Sequence, residues 1–398
     1  MNKMEGHIRI KEKVLKLKPE LIKLRRDFHM YPELGREEFR TAQTIESYLN
    51  SLGVETQRLA NTGVVGLLSG DRPGKTLLLR ADMDALPVEE MTGVEYQSCH
   101  KGKMHACGHD GHVAMLLVAA NILSGLKKEI CGTIKFVFQP DEEGADSGAA
   151  MLIEQGVLNQ PDVDAAMGLH LMTSLRTGCI GISQGCVMAD TVVFNLLIKG
   201  KGGHTAMPHQ SIDPLMVAAN LITIVQGVQT RQIDVLKPTS VVFGKIQAGS
   251  GANIIPEHAR LQGTIRCLYD SKGEESPSQK FENTVHRICQ IYGAGYDIEF
   301  TPAAAPVVND PLLYRMVKAA AETTVNRKEN VTGHTTMIAE DFGYFGTHIP
   351  SCFYFIGAAS PDLKNEYPHH HPKFSIDENA LEIGVEMHVK SALAYLDN

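Results

Sequence analysis

The sequence has no apolar run long enough to span a bilayer, no apolar secretory stretch near its start, and no large excess of charge. A membrane-spanning helix needs roughly 18 or more apolar residues in succession, so an integral membrane protein is excluded and the cytoplasm is the expected location. Lys and Arg number 38 against 46 Asp and Glu, for a net charge of −8. This acidic balance argues against nucleic-acid or anionic-membrane partners.

Closely spaced cysteine pairs are also absent. The cysteines stand at positions 99, 107, 131, 179, 186, 267, 289 and 352. Small secreted proteins held together by disulfides carry denser cysteine frameworks, so that class is excluded. Most of these residues are expected to be buried thiols, and Cys107 is the expected exception because of its neighbours. The sequence also lacks internal repeats and low-complexity segments, which leaves an ordinary globular protein.

The chain length and the order of apolar segments predict an α/β protein with more than one domain. At 398 residues the chain exceeds the size at which one hydrophobic core keeps growing. Helices are predicted at 8–30 (interrupted at Pro19), 36–52, 113–123 and 149–155, and strands at 64–68, 76–79, 133–138 and 165–169. Such alternation is typical of a mixed, mostly parallel sheet flanked by helices.

The pattern of segments changes at about residue 188. The following segments are strand 192–199, helix 214–229, strands 239–247 and 258–268, helix 276–291 and strand 297–301. This βαββαβ order predicts an antiparallel sheet with two helices on one face. The α/β pattern then resumes with helix 311–325, strand 352–356 and helix 377–396. We therefore predict one domain from residues 1–187 and 303–398, with an α+β domain inserted over 188–302.

Polar side chains lie just past the predicted ends of three strands. They are Asp82 and Asp84, Glu142 and Glu143, and His170. The carboxyl ends of strands are where α/β sheets place their functional sites. Taken alone, Asp84 also suits an Asp- and Pro-rich turn, and His170 also suits a satisfied core histidine. Near a metal, an acid such as Asp82 or Asp84 commonly orients a ligating imidazole.

Cys107 and His109 are separated by one residue and lie where a loop enters the helix at 113–123. Positive potential at a helix N-terminus favours a thiolate, and a thiolate beside an imidazole is a metal-ligating pair. The structural alternative is a buried cysteine beside a helix-capping histidine. His105 and His112 are expected to be structural groups or hydrogen-bond partners of the ligands.

The adjacent acids Glu142 and Glu143 suit two different tasks beside a metal. One carboxylate can ligate an ion while its neighbour takes a proton from water and delivers it to a leaving amine. Taken alone, the same two acids also suit a solvated loop. The choice between these interpretations depends on the rest of the chain.

The inserted domain carries three further candidates. His204 follows Gly202 and Gly203, whose lack of a side chain lets the backbone approach a ligand, and its imidazole could stabilise an oxyanion. Asn253, in a Gly-rich loop between two strands, offers an amide to a substrate. Arg266, on a predicted strand, would bind a substrate carboxylate. The alternatives are flexible turns for the first two residues and a surface ion pair for Arg266.

Taken in order, these motifs resemble the metallo-aminoacylase and carboxypeptidase superfamily, specifically its N-acyl-amino-acid amidohydrolases such as hippurate hydrolases and indole-acetyl-amino-acid hydrolases. The resemblance runs from Arg26-Asp27-Phe28-His29 through Arg80-Ala81-Asp82-Met83-Asp84, Cys107-Gly108-His109-Asp110, Glu142-Glu143, Gly168-Leu169-His170, Gly203-His204 and Asn253 to His370-His371-Pro372. The superfamily's dinuclear peptidases have a histidine ligand where Asp82 stands and a bridging aspartate where Cys107 stands. These differences favour the amidohydrolase branch.

The resemblance implies a zinc-peptidase-like catalytic domain that binds two divalent ions. Cys107 would bridge the ions, His109 and His170 would bind one of them, and Glu143 and His370 the other. His370 is preferred to its two histidine neighbours because the family's ligand stands two positions before the proline. A thiolate with three imidazoles suits zinc, manganese, nickel or cobalt to different degrees.

The resemblance also implies functions for the remaining candidates. Glu142 would be the general base, Asp84 a further catalytic residue and Asn253 a substrate-binding residue. Arg266 is a further substrate-binding candidate that does not rest on the resemblance. In the family the inserted domain is a lid and often a dimerisation surface. We therefore expect a homodimer or homotetramer formed through residues 188–302. His204 would stabilise the oxyanion in its own subunit or in a partner's.

The implied reaction is hydrolysis of an N-acyl-L-amino acid to a carboxylic acid and a free amino acid. A metal-activated water would attack the amide, with Glu142 as the base. One alternative is a metallo-dipeptidase or carboxypeptidase on the same scaffold. The other is a non-catalytic binding protein, which would require a broken base or ligand set, and the sequence shows none.

Overall fold

The structure is a computed structural model that describes residues 3–144, 146–269, 271, 276–325, 327–359 and 367–397. The chain divides into two compact units. The larger unit comprises Met1–Val187, Val307–Thr335 and Asp341–Asn398, and the smaller unit comprises Met188–Pro306 and Thr336–Glu340. The predicted division differs from this in two places, because residues 303–306 and 336–340 belong to the smaller unit.

The order of elements follows the predicted order closely. The helices are α1 (Lys3–Met30), α2 (Phe39–Ser51), α3 (His109–Ser124), α4 (Gly148–Glu154), α5 (Pro214–Arg231), α6 (Pro277–Tyr292), α7 (Pro311–Thr324), α8 (Gly343–Gly346) and α9 (Ala380–Leu396). The strands are β1 (Glu55–Leu59), β2 (Gly63–Ser69), β3 (Arg72–Asp82), β4 (Cys131–Gln139), β5 (Ala165–Arg176), β6 (Ile180–Gly181), β7 (Gly185–Met188), β8 (Asp190–Lys199), β9 (Gly203–His204), β10 (Thr239–Ala248), β11 (Ile254–Ile255), β12 (His258–Cys267), β13 (Gly295–Ala304), β14 (Val307–Asn309), β15 (Val331–Thr332) and β16 (Ser351–Ala359). Within the described part of the chain, no helix combines the length and apolarity needed to cross a membrane.

The larger unit is built on one sheet with the strand order β1-β2-β4-β3-β5-β16-β6-β15. The central pairs β4-β3, β3-β5 and β5-β16 are parallel, whereas β1-β2 and β2-β4 are antiparallel. One face packs on a core that includes buried residues of α1, α2, α3, α7 and α9. The predicted α/β class, with a mixed and mostly parallel sheet flanked by helices, is confirmed.

Helix α3 is buried on nearly all sides, and this burial fixes the position of its first residue. Its sequence from Val113 to Leu123 is almost entirely apolar, as expected for a helix enclosed by other elements. Its N-terminal residues His109 and His112 are buried as well. Imidazoles in such surroundings need specific polar partners, which the neighbouring strand ends supply.

Two local predictions in the larger unit are wrong. Helix α1 continues through Pro19 instead of breaking there. Its residues Leu21 and Phe28 are fully buried, and this packing outweighs the hydrogen bond that proline cannot donate. His170 lies inside β5 and not beyond its end, because β16 pairs with β5 as far as Arg176.

The smaller unit contains the predicted βαββαβ order. Its sheet has the strand order β10-β12-β8-β13, and every neighbouring pair is antiparallel. Residues of α5 and α6 share a single buried core with this sheet, so both helices cover the same face. Each helix begins where a side chain caps it and a proline follows. The caps are Asp213 for α5 and Ser276 for α6.

The short segment 336–340 completes the smaller unit from a distant part of the chain. Thr336 forms a β-bridge with Met188. The N–H of Ala189 donates to the carbonyl of Ile338 at 3.1 Å. These contacts explain why the segment belongs to the smaller unit, although the chain on both sides of it belongs to the larger one.

Candidate metal centre

The carboxyl ends of β3 and β4 bring acidic side chains to one edge of the sheet. Asp82 at the end of β3 pairs in register with Gln139 at the end of β4. Beyond these residues, the N–H of Glu143 donates to Oδ2 of Asp84 at 2.9 Å. The two loops are therefore held together at the edge where parallel strands end and α/β sheets place their sites.

Helix α3 begins at the same edge and brings Cys107 and His109 to these acids. Gly108 precedes the helix with a φ of 96°, a left-handed conformation that glycine adopts at little cost. Nδ1 of His109 donates to the carbonyl oxygen and Oδ1 of Asp84 at 3.0 and 3.2 Å. Nε2 of His109 is buried and has no hydrogen-bond partner among the described residues. This arrangement is typical of an imidazole oriented for a metal.

Two groups of potential ligands share Cys107. Cys107, His109 and His170 place their ligand atoms within 4.8 Å of one another, and Cys107, Glu143 and His370 do the same. Sγ of Cys107 lies 3.4 Å from Nε2 of His170, and Nε2 of His370 lies 3.0 Å from Oε1 of Glu143. The structure thus brings together all the ligands named from the sequence, with one sulfur common to both groups.

The run His369-His370-His371 places its three imidazoles in different surroundings. The first ring donates from Nε2 to the carbonyl of Leu171 at 3.0 Å. The third ring stacks on Tyr367, with ring centroids 4.4 Å apart. His370 contacts Glu143. Among the described residues, His370 is the one member of this run that lies in a group of potential ligands.

The electrostatics of the site fit bound cations. Burial and the charge of Glu143 raise the pKa of the Cys107 thiol well above its usual value, and they outweigh the predicted effect of the helix N-terminus. Burial would lower the pKa of His109, but Asp82 and Asp84 outweigh burial and raise that pKa to about 10. A buried thiol among carboxylates ionises readily only when a cation offsets their charge. The donor set therefore fits divalent metal ions.

Two other histidines near the site lie outside the two ligand groups that share Cys107. Asp82, His109 and His112 also lie close together, but Nδ1 of His112 donates to Asp82 and its Nε2 accepts the N–H of Leu171 at 2.9 Å. His105 is buried without a hydrogen-bond partner among the described residues, and burial lowers its pKa to about 4. Both findings fit the structural functions expected for these two residues.

A buried ion-pair network that sequence reasoning missed lies next to the acids. Arg80 donates from Nη1 to Asp82 at 2.6 Å and from Nη2 to Asp341 at 2.9 Å. Asp341 also accepts from the side chains of Gln139 and Ser147 and from the first turn of α4. One carboxylate therefore ties together the ends of β3 and β4 and the start of α4.

Glu38, also missed from the sequence, supports the loop that carries Glu142. Its carboxylate is buried and accepts the N–H of Asp141 at 3.0 Å and the hydroxyl of Thr62 at 2.7 Å. Asp141 has a φ of 52°, a conformation that L-residues adopt only at a cost. Burial raises the pKa of Glu38 to about 7. A carboxyl with this pKa makes stability depend on pH near neutrality.

We expect Glu38→Gln to remove part of the pH dependence of folding. Because burial raises the pKa of Glu38 from 4.5 to about 7, the folded protein holds the proton more tightly than the unfolded chain. Ionised Glu38 therefore destabilises the fold increasingly as pH rises from 4.5 through 7. The glutamine keeps both contacts, since its oxygen can accept from Asp141 and its amide can donate to the Thr62 hydroxyl.

The measurement is urea unfolding of Glu38→Gln and the wild type at several pH values. Relative to the wild type, the variant should gain about 2 kcal/mol in free energy of unfolding between about pH 5 and pH 8. A difference between the two proteins that stays constant over this range would contradict the proposed ionisation.

The smaller unit brings two of its three candidates together. Strand β9 pairs with β11, so His204 lies opposite Ile254, next to Asn253 in the chain. Nδ1 of His204 accepts the N–H of Ala206 at 3.0 Å, which leaves Nε2 as the protonated nitrogen of the neutral ring. Arg266 donates from Nη1 to the carbonyl of Met337 at 2.8 Å. This backbone contact replaces the surface ion pair considered as its alternative.

A mixed α/β sheet that carries a thiol, three imidazoles and paired glutamates at its edge defines the class of metal-dependent hydrolases that act on amide bonds. The chain belongs to peptidase family M20/M25/M40, whose family model matches residues 78–394. The resemblance inferred from the motifs is thereby confirmed.

Relatives and solved structures cover almost the full chain. Thermostable carboxypeptidase 1 of Saccharolobus solfataricus is 38% identical over 97% of this chain and 98% of its own. N-acetyl-L-cysteine deacetylase of Bacillus subtilis is 36% identical over 96% of this chain and 89% of its own. The crystal structure of Bacillus subtilis YXEP protein, a dinuclear metal binding peptidase from the M20 family, has a TM-score of 0.84 and 30% identity, and it covers 96% of this chain and 99% of that one.

Proposed function

We propose that this protein hydrolyses the amide bond of N-acyl-L-amino acids to a carboxylic acid and a free amino acid. The observation that carries the proposal is that two adjacent acids, Glu142 and Glu143, have different surroundings. Glu143 belongs to a ligand triplet with Cys107 and His370, whereas Oε2 of Glu142 lies 3.9 Å from Nε2 of His109. In our proposal Glu143 therefore holds an ion and Glu142 moves a proton beside it, although His109, Glu142 and Glu143 also bring ligand atoms within 4.8 Å of one another. The N-acetyl-amino acid in the name of one relative supports the substrate class.

Each of the two proposed ion sites combines Cys107 with a different pair of side chains. His109 and His170 would hold one divalent ion, Glu143 and His370 the other, and Cys107 would contact both. Zinc, manganese, nickel and cobalt are the candidates, because the set combines a thiolate, imidazoles and a carboxylate. Bound ions would polarise the scissile carbonyl and lower the pKa of the attacking water.

In the proposed mechanism, Glu142 moves the proton. Its carboxylate accepts a proton from the attacking water as the new C–O bond forms, and then delivers it to the nitrogen as the C–N bond breaks. Its side chain is only 10% exposed, which limits exchange of that proton with bulk solvent. Asp84 positions two neighbouring residues. It accepts a hydrogen bond from Nδ1 of His109, which orients that ring, and another from the backbone N–H of Glu143.

The smaller unit would supply substrate contacts. His204 carries its proton on Nε2 and is exposed, so it is available to donate to a developing oxyanion in its own subunit or in a second one. Asn253, next to it, would bind the substrate, as would Arg266.

A homodimer or homotetramer through the smaller unit stays a prediction. Exposed apolar residues on the edge strand β10, Val242 and Ile246, support it. A cytoplasmic location also stays a prediction.

A substrate panel tests the proposed activity directly. The metal-free protein would be reconstituted separately with Zn²⁺, Mn²⁺, Ni²⁺ and Co²⁺ and assayed with N-acetyl and N-benzoyl amino acids, dipeptides and peptides with free C-termini. We expect hydrolysis of the acyl amino acids with at least one metal and loss of that activity with a chelator. Absence of turnover on every substrate despite full metal loading would refute the enzyme hypothesis.

The same panel separates the main alternative. A relative named as a carboxypeptidase is 38% identical to this chain, which favours a peptidase as the second candidate. Both activities need the same ligands and base, so only relative kcat/KM values distinguish them. Preference for dipeptides or peptides over acyl amino acids would replace the proposed substrate class and leave the metal chemistry in place.

A further inference from the structure

We infer that His369 is a positioning residue that holds its neighbour, the metal ligand candidate His370, in place through a hydrogen bond to Leu171. The inference rests on the proposed function, because it concerns one of the two proposed ion sites. Two observations support it: the backbone conformation of His370, and the hydrogen bonds made by the backbone of Leu171.

His370 is the least enclosed of the proposed ligands. Its side chain is 52% exposed, whereas Cys107, His109 and His170 are buried. Its backbone has a φ of 68°, in the left-handed region that is unfavourable for a residue with a Cβ. The neighbouring structure has to impose this conformation. One constraint acts on His370 itself, since its backbone N–H donates to the carbonyl of Ala106 at 2.8 Å.

The second constraint comes from the ring of His369. Its Nε2 donates to the carbonyl oxygen of Leu171 at 3.0 Å. The ring also packs against the buried Phe374, with centroids 4.9 Å apart, and beside the ring of His170 at 5.4 Å. These contacts fix His369 on β5, so the next residue in the chain cannot turn away freely.

The backbone of Leu171 contacts His170, a proposed ligand of one ion, and His369, the neighbour of a proposed ligand of the other. Its carbonyl accepts from Nδ1 of His170 at 2.6 Å as well as from His369. Its N–H donates to Nε2 of His112, whose other nitrogen is bonded to Asp82. The backbone of Leu171 is therefore held by His112 and His170 without any help from His369. It offers a rigid acceptor to which the ring of His369 is hydrogen-bonded. Loss of His369 should release His370 while the orientation of His170 is retained.

His371 provides a matched control in the same run. Its ring stacks on Tyr367 and its Nδ1 accepts the N–H of Lys373 at 3.0 Å. Both contacts stay within residues 367–373 and neither reaches a ligand. A substitution at His371 therefore perturbs the same segment without removing the bond to Leu171.

The experiment is cobalt binding to metal-free wild type, His369→Leu, His369→Gln and His371→Leu, measured by equilibrium dialysis and elemental analysis. We expect wild type and His371→Leu to bind two Co²⁺ per chain. His369→Leu should keep the first ion and bind the second about 10- to 100-fold more weakly, the usual effect of losing a group that orients a ligand. His369→Gln should bind both, because its amide can donate to Leu171. Retention of the first ion shows that the larger unit is folded.

Three outcomes would overturn the inference. They are unchanged binding of the second ion by His369→Leu, equal losses in His369→Leu and His371→Leu, and failure of His369→Gln to restore binding. If wild type itself bound no Co²⁺, the proposed function would be wrong as well. Two tightly bound ions in both wild type and His369→Leu would refute this inference alone.

Discussion

Glu142→Gln is expected to lower kcat by about 100- to 10,000-fold, the usual contribution of a positioned general base. Glutamine has nearly the same shape but cannot accept the proton of the attacking water. Neither of the two ligand groups that share Cys107 contains Glu142, so metal content should stay at the wild-type value and KM should change little. The measurement is steady-state kinetics on the best acyl amino acid, together with elemental analysis of the same sample.

Two glutamates serve as controls for this experiment. Glu143→Gln should lose metal as well as activity, because Glu143 lies in the triplet with Cys107 and His370. Glu154→Gln, on an exposed position of α4, should leave both quantities unchanged. Full activity in Glu142→Gln would show that another group moves the proton. Loss of metal in Glu142→Gln would instead identify Glu142 as a ligand.

Arg80→Met should lower the free energy of unfolding by about 3–5 kcal/mol, since it leaves two buried carboxylates without their cation. Arg80 and Asp82 are fully buried, and Asp341 nearly so. Burial alone would raise the pKa of Asp82, but the Arg80 guanidinium, with the nearby imidazoles, holds that pKa well below its usual range. The measurement is urea unfolding of both proteins in the presence of a chelator.

Arg9→Met is the matched control for this effect. Arg9 pairs with Glu129 at 3.2 Å, but both side chains are about half exposed. Exposed pairs contribute about 0–1 kcal/mol, so the two arginine variants should differ clearly. Equal stability of the two variants would mean that the Arg80 network contributes no more than a surface ion pair.

The places of four ligand and base candidates could be predicted because the local sequence marks their positions. Cys107 and His109 precede an apolar run that forms a buried helix, and Glu142 and Glu143 follow an apolar strand. In an α/β sheet both positions lie at the carboxyl edge, so periodicity alone brings the side chains near one another. The assignment of one ion to each ligand group came from the family resemblance and remains a proposal.

The groups that hold the ligands could not be predicted in the same way. Arg80 and Asp341 are 261 positions apart, and no periodic pattern connects them. The peptide of Leu171 has no side-chain signature at all, because any residue except proline could offer the same N–H and carbonyl. The predicted end of β5 was wrong for a related reason, since its extension depends on pairing with β16. Contacts set by tertiary packing leave little trace in a single sequence.

Because residues 336–340 belong to the smaller unit, no single continuous stretch of the gene encodes that unit. A fragment cut at the two obvious boundaries, 188 and 306, would lack the partner of Met188 and the carbonyls that accept from Ala189 and Arg266. The insertion is therefore not a separable module. Exchanging it between relatives requires transplanting two distant stretches of sequence together.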